Sequence, residues 1–278
     1  MREVAILGAG DIGAAVARAL AARGCVSRVV LVDEARQVAM GKALDIRQSG
    51  PIEHSDTAVE ATDDVARVAS AALVVVADEF SRGEWSGDAA LQLVGRVSKL
   101  SAAPILFAGG RQHDVIALAV DEMKIDPSRL IGSAPLAASA IARALAADVT
   151  GTSPVDIHVP VLGLPPNWVL AWGQATAAGA PLDGMAPHEA ARIEQVLASR
   201  WPPGPYALAS AAAAVVHAAL TASRRRLSCL VATPFGGIRP VVFAQQVQLA
   251  PSGVASATLP DLTPRQRVTL EATVLARR

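Results

Sequence analysis

The sequence predicts an α/β protein, with a doubly wound parallel sheet in its first part and a mixed α+β layer after it. Three observations predict this. Short, wholly apolar runs alternate with segments of helical spacing up to about residue 145. The first run ends in a glycine-rich turn, Gly8-Ala9-Gly10-Asp11-Ile12-Gly13, that opens a helical segment. Beyond residue 145 the strand-like runs sit around turn residues, as antiparallel neighbours do. Wholly apolar strands separated by helices indicate a parallel sheet covered on both faces.

Residues 4–7 read as a buried strand and residues 12–23 as a helix closed by Gly24, glycine being the residue type that ends helices. Residues 28–33 form a second strand and 34–47 a second helix. Strands follow at 73–77 and 104–108, with helices at 88–100 and 115–123. In the later part, 156–162 and 168–173 read as a hairpin around Leu164-Pro165-Pro166-Asn167. Helices are expected at 187–200 and 206–223, strands at 227–233 and 241–249, and a last helix at 264–276. The expected division is a dinucleotide-binding domain over 1–132 and a second domain over 133–278. Pro202-Pro203-Gly204-Pro205 reads as a stiff connector.

Composition narrows the function classes. With 52% hydrophobic and 18% charged residues in 278, a sizeable core is readily buried. The formal net charge is zero, so nothing electrostatic supports a nucleic-acid partner. Arg224-Arg225-Arg226 reads as the basic end of a helix rather than a binding patch. Cys25 and Cys229 lie far apart in apolar settings, which implies two reduced, buried thiols and neither a disulfide nor a metal site. The first apolar run is too short for a secretory signal, and no apolar stretch reaches about 18 residues. A soluble, cytoplasmic protein with no membrane partner is expected.

The glycine turn carries the first functional expectation. Alone, its spacing is a weak signal; between a predicted strand and a predicted helix it is a dinucleotide fingerprint of the Rossmann type. Gly8 allows the tight turn, Gly10 admits the pyrophosphate, and Gly13 lets helix pack on strand. The N–H groups at Asp11, Ile12 and Gly13 open a helix whose N-terminus favours phosphate. Asp33 ends the second strand, 20 positions after Gly13, where an acid bonds the ribose and repels a 2′-phosphate. The cofactor expected is therefore NAD, held by Gly8, Gly10, Asp11, Ile12, Gly13 and Asp33, with Ala77 at the end of the third predicted strand. Asp11 places a negative charge inside the phosphate loop, harmless only if its side chain points to solvent.

Along nearly its full length the chain resembles the lactate/malate dehydrogenase family. The resemblance rests on GAGDIGAAVARAL at the start and LVDEARQVAMGKALDIRQSGPI at 31–52, with Gly41, Lys42, Ala43, Asp45 and Pro51 at characteristic places. Thr62-Asp63-Asp64, Arg129-Leu130-Ile131-Gly132, Phe235-Gly236-Gly237-Ile238 and Val247-Gln248-Leu249 with Gly253-Val254 continue it, and Tyr206 stands at a helix start. The resemblance implies a homo-oligomer and hydride transfer assisted by a His, an orienting Asp, a carboxylate-clamping Arg and further Arg residues on a mobile loop.

Residue by residue, those parts are missing. Ala137 stands for the orienting Asp, Ala140 for the clamping Arg and Pro165 for the catalytic His. The mobile loop reads Ala77-Asp78-Glu79-Phe80-Ser81-Arg82-Gly83-Glu84-Trp85-Ser86-Gly87-Asp88, with its first Arg near Ser81 or Arg82 and its second replaced by Gly87. Arg111-Gln112 replaces an Asn-Pro pair. No catalytic residue is therefore assigned. Arg111 and His113 follow the fourth predicted strand at the edge that faces the crevice; they read either as groups binding an anion or moving a proton, or as a solvated loop end. Trp85 reads as packing on a bound ring or as covering apolar surface, and His54, His188 and His217 as isolated surface groups. The lost charges leave an Ala-, Leu- and Pro-lined pocket suited to a neutral small-molecule ligand or to none. Two functions stand: an NAD-binding homologue without the usual chemistry, and an oxidoreductase rebuilt for a different carbonyl or alcohol.

Overall fold

The computed structural model describes residues 2–182, 185–235 and 240–275. Its order begins β1 (Glu3–Leu7), α1 (Asp11–Arg23), β2 (Arg28–Val32), α2 (Arg36–Ser49), β3 (Ala58–Thr62) and β4 (Leu73–Val76). A small hairpin, β5 (Asp78–Glu79) and β6 (Gly83–Glu84), precedes α3 (Gly87–Leu100), β7 (Ile105–Phe107), α4 (His113–Asp121) and β8 (Leu130–Gly132). Six of these strands pair in parallel in the order β3-β2-β1-β4-β7-β8. Successive strands run outward from β1 to β3 on one side and from β4 to β8 on the other, so the strand order reverses between β1 and β4, which opens a crevice beyond their carboxyl ends.

Each element has a local cause. β4 is four apolar residues, all buried, and β1 and β2 are buried after their first residue, as strands covered on both faces must be. Helix α1 ends on Gly24 in the left-handed conformation at φ 58°. The strand β3 carries none of the apolar signal of its neighbours: at the sheet edge it buries only Val59. The three-residue β8 is equally hidden from periodicity.

The second half is α5 (Ala134–Thr150), β9 (Ile157–His158), β10 (Val161–Gly163), β11 (Trp168–Leu170), β12 (Thr176–Ala177), β13 (Ala180–Pro181), α6 (Pro187–Ser199), α7 (Pro205–Leu220), β14 (Leu227–Pro234), β15 (Pro240–Ala250), β16 (Gly253–Thr258) and α8 (Pro264–Leu275). The expected strand at 156–162 is divided: β9 joins a small sheet with β12 and β13, while β10 pairs with β11 in the main sheet. The sheet crosses the expected 132/133 boundary without a break, because β14 bonds to β8 through Leu230 and Gly132. Helix α7 packs on α1 and α5, with Leu208, Val215, Val216 and Leu220 buried in one core cluster with Val16 and Leu20. The basic run 224–226 lies beyond the end of α7 rather than in its last turn, and Arg226 donates to Thr258 Oγ1 at 2.6 Å. Cys229 is buried, as expected, but Cys25 is partly exposed. The residues Gly236, Gly237 and Ile238 of the family-like segment lie outside the described residues. No helix among the described residues is long and apolar enough to cross a membrane.

Candidate functional site

The predicted dinucleotide residues converge at the carboxyl ends of β1, β2 and β4. Gly8 turns at φ +104° and donates its N–H to Val32 O at 2.7 Å. The place a Cβ would take on Gly13 falls on the carbonyl oxygen of Gly8, so helix and turn approach closer than any side chain permits. Asp11 is 87% exposed at its side chain, which removes its charge from the loop interior.

The helix N-terminus already holds an anion, and it belongs to the chain. Asp78, the second residue past the end of β4, is 7% exposed. Its Oδ1 accepts from Gly13 N–H at 2.8 Å and its Oδ2 from Ile12 N–H at 3.1 Å. Its own carbonyl accepts from Gly10 N–H at 2.9 Å. A Cβ on Gly10 would strike this carboxylate, so the space expected for the pyrophosphate is the space Asp78 fills. A carboxylate bonded by two N–H groups in the first turn of a helix is in a favourable field.

Asp33 is committed in the same way. Its Oδ2 accepts from Ala9 N–H at 2.7 Å and Phe80 N–H at 3.1 Å, and its Oδ1 from Ala35 N–H at 2.8 Å. Lys42 spans the outside, donating to Ala9 O at 2.7 Å and Gly10 O at 3.1 Å, with its ammonium 5.6 Å from the Phe80 ring centre. Trp85 shares a pocket with Leu7, Val32, Asp33, Leu93 and Arg96, of which about 50 Å³ remains open. Trp85 is partly buried and packs against the apolar core. Burial pushes the Glu79 carboxyl up, the nearby Glu34 and Asp33 add to this, and Arg82 opposes it.

At the other end of the crevice, Ala77 is buried and its carbonyl accepts from Gln112 Nε2 at 3.1 Å. Glu84 accepts from Gly110 N–H at 3.0 Å and Arg111 N–H at 2.9 Å. Arg111 is itself exposed, and His113 begins α4 with Nε2 3.2 Å from Asp114 Oδ1. Gly110 lies against Trp201 and Pro202, and Trp201 packs edge-on to Trp168 at 4.9 Å. Ala137 is buried and Ala140 exposed on α5, and Pro165 lies in the turn between β10 and β11. His54, His188 and His217 stand apart, and no group of metal-ligating side chains gathers among the described residues. A larger cavity of about 430 Å³ lies elsewhere, between α1, α5 and α7.

The groups expected to hold NAD are thus all in place, but in this conformation they do not fit it: pyrophosphate and adenosine would meet Asp78 and Trp85. The expected residues gather at one turn, and Asp78, which the sequence reading did not assign, occupies it. No local signal marks Asp78 in the sequence, because its partners lie 65 and 66 positions earlier.

Comparison with known proteins bears on the same residues. Residues 2–100 match the family model described as lactate/malate dehydrogenase, NAD binding domain. The chain is 27% identical over 292 residues to a malate dehydrogenase of Thermomicrobium roseum, covering 97% of this chain and 94% of that one. It is 28% identical over 297 residues to an L-lactate dehydrogenase of Allorhizobium ampelinum, with 96% and 94% covered. In fold it is similar to a minor L-lactate dehydrogenase from Enterococcus mundtii, at TM-score 0.87 and 18% identity over 99% and 96% of the chains. A malate dehydrogenase from Salinibacter ruber gives 0.83 and 22% over 99% and 94%.

Proposed function

Since the chain belongs to the lactate/malate dehydrogenase family, and its first domain is that family's NAD-binding domain, we propose that it is a member that binds NAD and does not work as a malate or lactate dehydrogenase. One observation carries this reading. From Ser133 to Ala142 there is no charged residue, and the turn from Gly163 to Asn167 contains no histidine. A shift of one residue in aligning the site therefore restores neither the acid, the clamp nor the imidazole. Hydride leaves carbon only as the alcohol proton leaves oxygen, so a positioned base and a fixed substrate are both required.

The division at 132/133 and assembly into a homo-oligomer belong to the same proposal. The function test is reduction of oxaloacetate and of pyruvate by NADH. At most a trace is expected, since losing an acid/base costs roughly 10²–10⁴ in rate and losing orientation costs more. A kcat of about 1 s⁻¹ or more, within the ordinary enzyme range, would overturn the reading. Sedimentation at micromolar concentration tests the assembly; a stable monomer counts against it.

A second reading, an oxidoreductase with a rebuilt site, draws support from Arg111 and His113. Arg111 is an exposed cation in the loop whose N–H groups Glu84 binds, and His113, two residues on, is a buried imidazole at the start of α4. Oxidation of an alcohol without a carboxylate, lost on Arg111→Ala, would favour it.

A further inference from the structure

The hairpin that follows β4 does more than cover the crevice. Three of its parts match three parts of a dinucleotide site. The Asp78 carboxylate takes the two helix N-terminal N–H groups that a phosphate would take. The Phe80 N–H takes the acid that a ribose would take. Trp85 lines the pocket beside that acid, with Leu7, Val32 and Leu93 and the charged Glu34, Asp63, Glu79 and Arg96, and only about 50 Å³ of it is open where ligand pockets commonly measure about 300–1,000 Å³. A second acid of the same hairpin, Glu84, binds the N–H groups of Gly110 and Arg111 across the crevice.

We propose that Asp78 is an internal ligand of the phosphate-binding turn, held there by residues 78–86, so that it and the dinucleotide compete for the N–H groups of Ile12 and Gly13. The inference rests on the NAD-binding reading above for its competitor, but not for the geometry of the internal ligand.

The physical basis is mutual exclusion. Two anions cannot share one pair of N–H donors, and a phosphate brought beside a buried carboxylate would face a like charge in a poorly screened setting. The dinucleotide enters only when the hairpin swings out, which breaks the Asp78 and Phe80 bonds and withdraws Trp85 together. Apparent affinity is then the intrinsic affinity reduced by the fraction of molecules with the hairpin open. Asp78 thereby sets how tightly this chain takes its cofactor, although it makes no contact with the bound form.

The test uses the full chain, NADH fluorescence titration and amide hydrogen exchange. Asp78→Ala is expected to bind NADH at least tenfold more tightly than wild type, with Asp78→Asn, which keeps one acceptor and loses the charge, between them. In the absence of NADH, the Ile12 and Gly13 amides are expected to be protected in wild type and to exchange faster in Asp78→Ala. NADH bound to wild type is expected to speed exchange at Phe80. Equal or weaker NADH binding by Asp78→Ala, or unprotected Ile12 and Gly13 amides in wild type, overturns the proposal. If no form binds NADH, the exchange data alone decide the internal ligand, and the failure falls on the cofactor reading. If Asp78→Ala does not fold, Asp78→Asn carries both comparisons.

Discussion

Two aspartates decide the state of the crevice, and only one announced itself in the sequence. Asp33 was legible because its place after β2 and its distance from the glycine turn have a fixed meaning in this fold. Asp78 was not, since nothing local distinguishes an acid that bonds a helix 65 positions earlier from one that meets solvent. The reading of Ala137, Ala140 and Pro165 rests on the family resemblance alone, because an alanine on a helix carries no signal of what it stands for. The bonds of Asp33 also change what its removal does. Three backbone N–H groups converge on it, and hydrogen bonds to a charged group contribute about 1.5–3 kcal/mol each. Asp33→Ala is therefore expected to destabilise the ligand-free protein by several kcal/mol, read from guanidinium denaturation, rather than only to weaken a cofactor. Gly13→Ala is expected to be destabilising as well, by about 1–3 kcal/mol or more, typical of forcing atoms into a packed space. Here the obstacle is the Gly8 backbone, which cannot swing aside as a side chain would.

Among elements, the long apolar strands and the helices declared themselves, whereas the short ones did not. β5 and β6 have two residues each, with Asp78 opposite Glu84 and Glu79 opposite Gly83, too short a pairing for any window of sequence to reveal. Within this hairpin Glu79 introduces a dependence on pH. Burial is the largest cause raising its carboxyl above the ordinary 4.5. The folded chain thus binds this proton more readily than the unfolded chain, and stability falls as pH rises from 4.5 through the raised value. Glu79→Gln, which cannot ionise, should escape that loss. The difference in Tm, variant minus wild type, is expected to grow as pH rises above 4.5 toward neutrality; a constant difference would mean that Glu79 stays solvated. In β14, burial alone pushes the Cys229 thiol up to about 12. The thiolate is the reactive form, so a thiol reagent at neutral pH should label Cys229 only after denaturation, while the partly exposed Cys25 reacts first.

For the molecule as a whole, the sequence suggested two halves of different character, and the change near residue 145 is a real change from parallel to antiparallel pairing. What periodicity could not reveal is that one sheet runs through both. β8 ends the parallel set and is bonded to β14, and α7, from the second half, covers α1 from the first. Four large side chains of α7, Leu208, Val215, Val216 and Leu220, are buried. At about 1.5–3 kcal/mol for each buried aliphatic side chain, they contribute roughly 6–12 kcal/mol before entropy. That sum is an upper estimate, because unfolded chains already bury some apolar surface. It is still comparable with the net stability of a folded domain, about 5–15 kcal/mol. Removing the second half would withdraw this burial from α1 and would also leave β8 with an open edge. The full chain is accordingly expected to unfold in one cooperative transition, with far-UV and near-UV circular dichroism changing together. A fragment of residues 1–132 is expected to lack fixed tertiary packing, whether or not NADH is added. Two separate transitions in the full chain, or a fragment with a sharp melt of its own, would mean that the halves are held by their own cores and that the shared sheet and the α1–α7 contact contribute little.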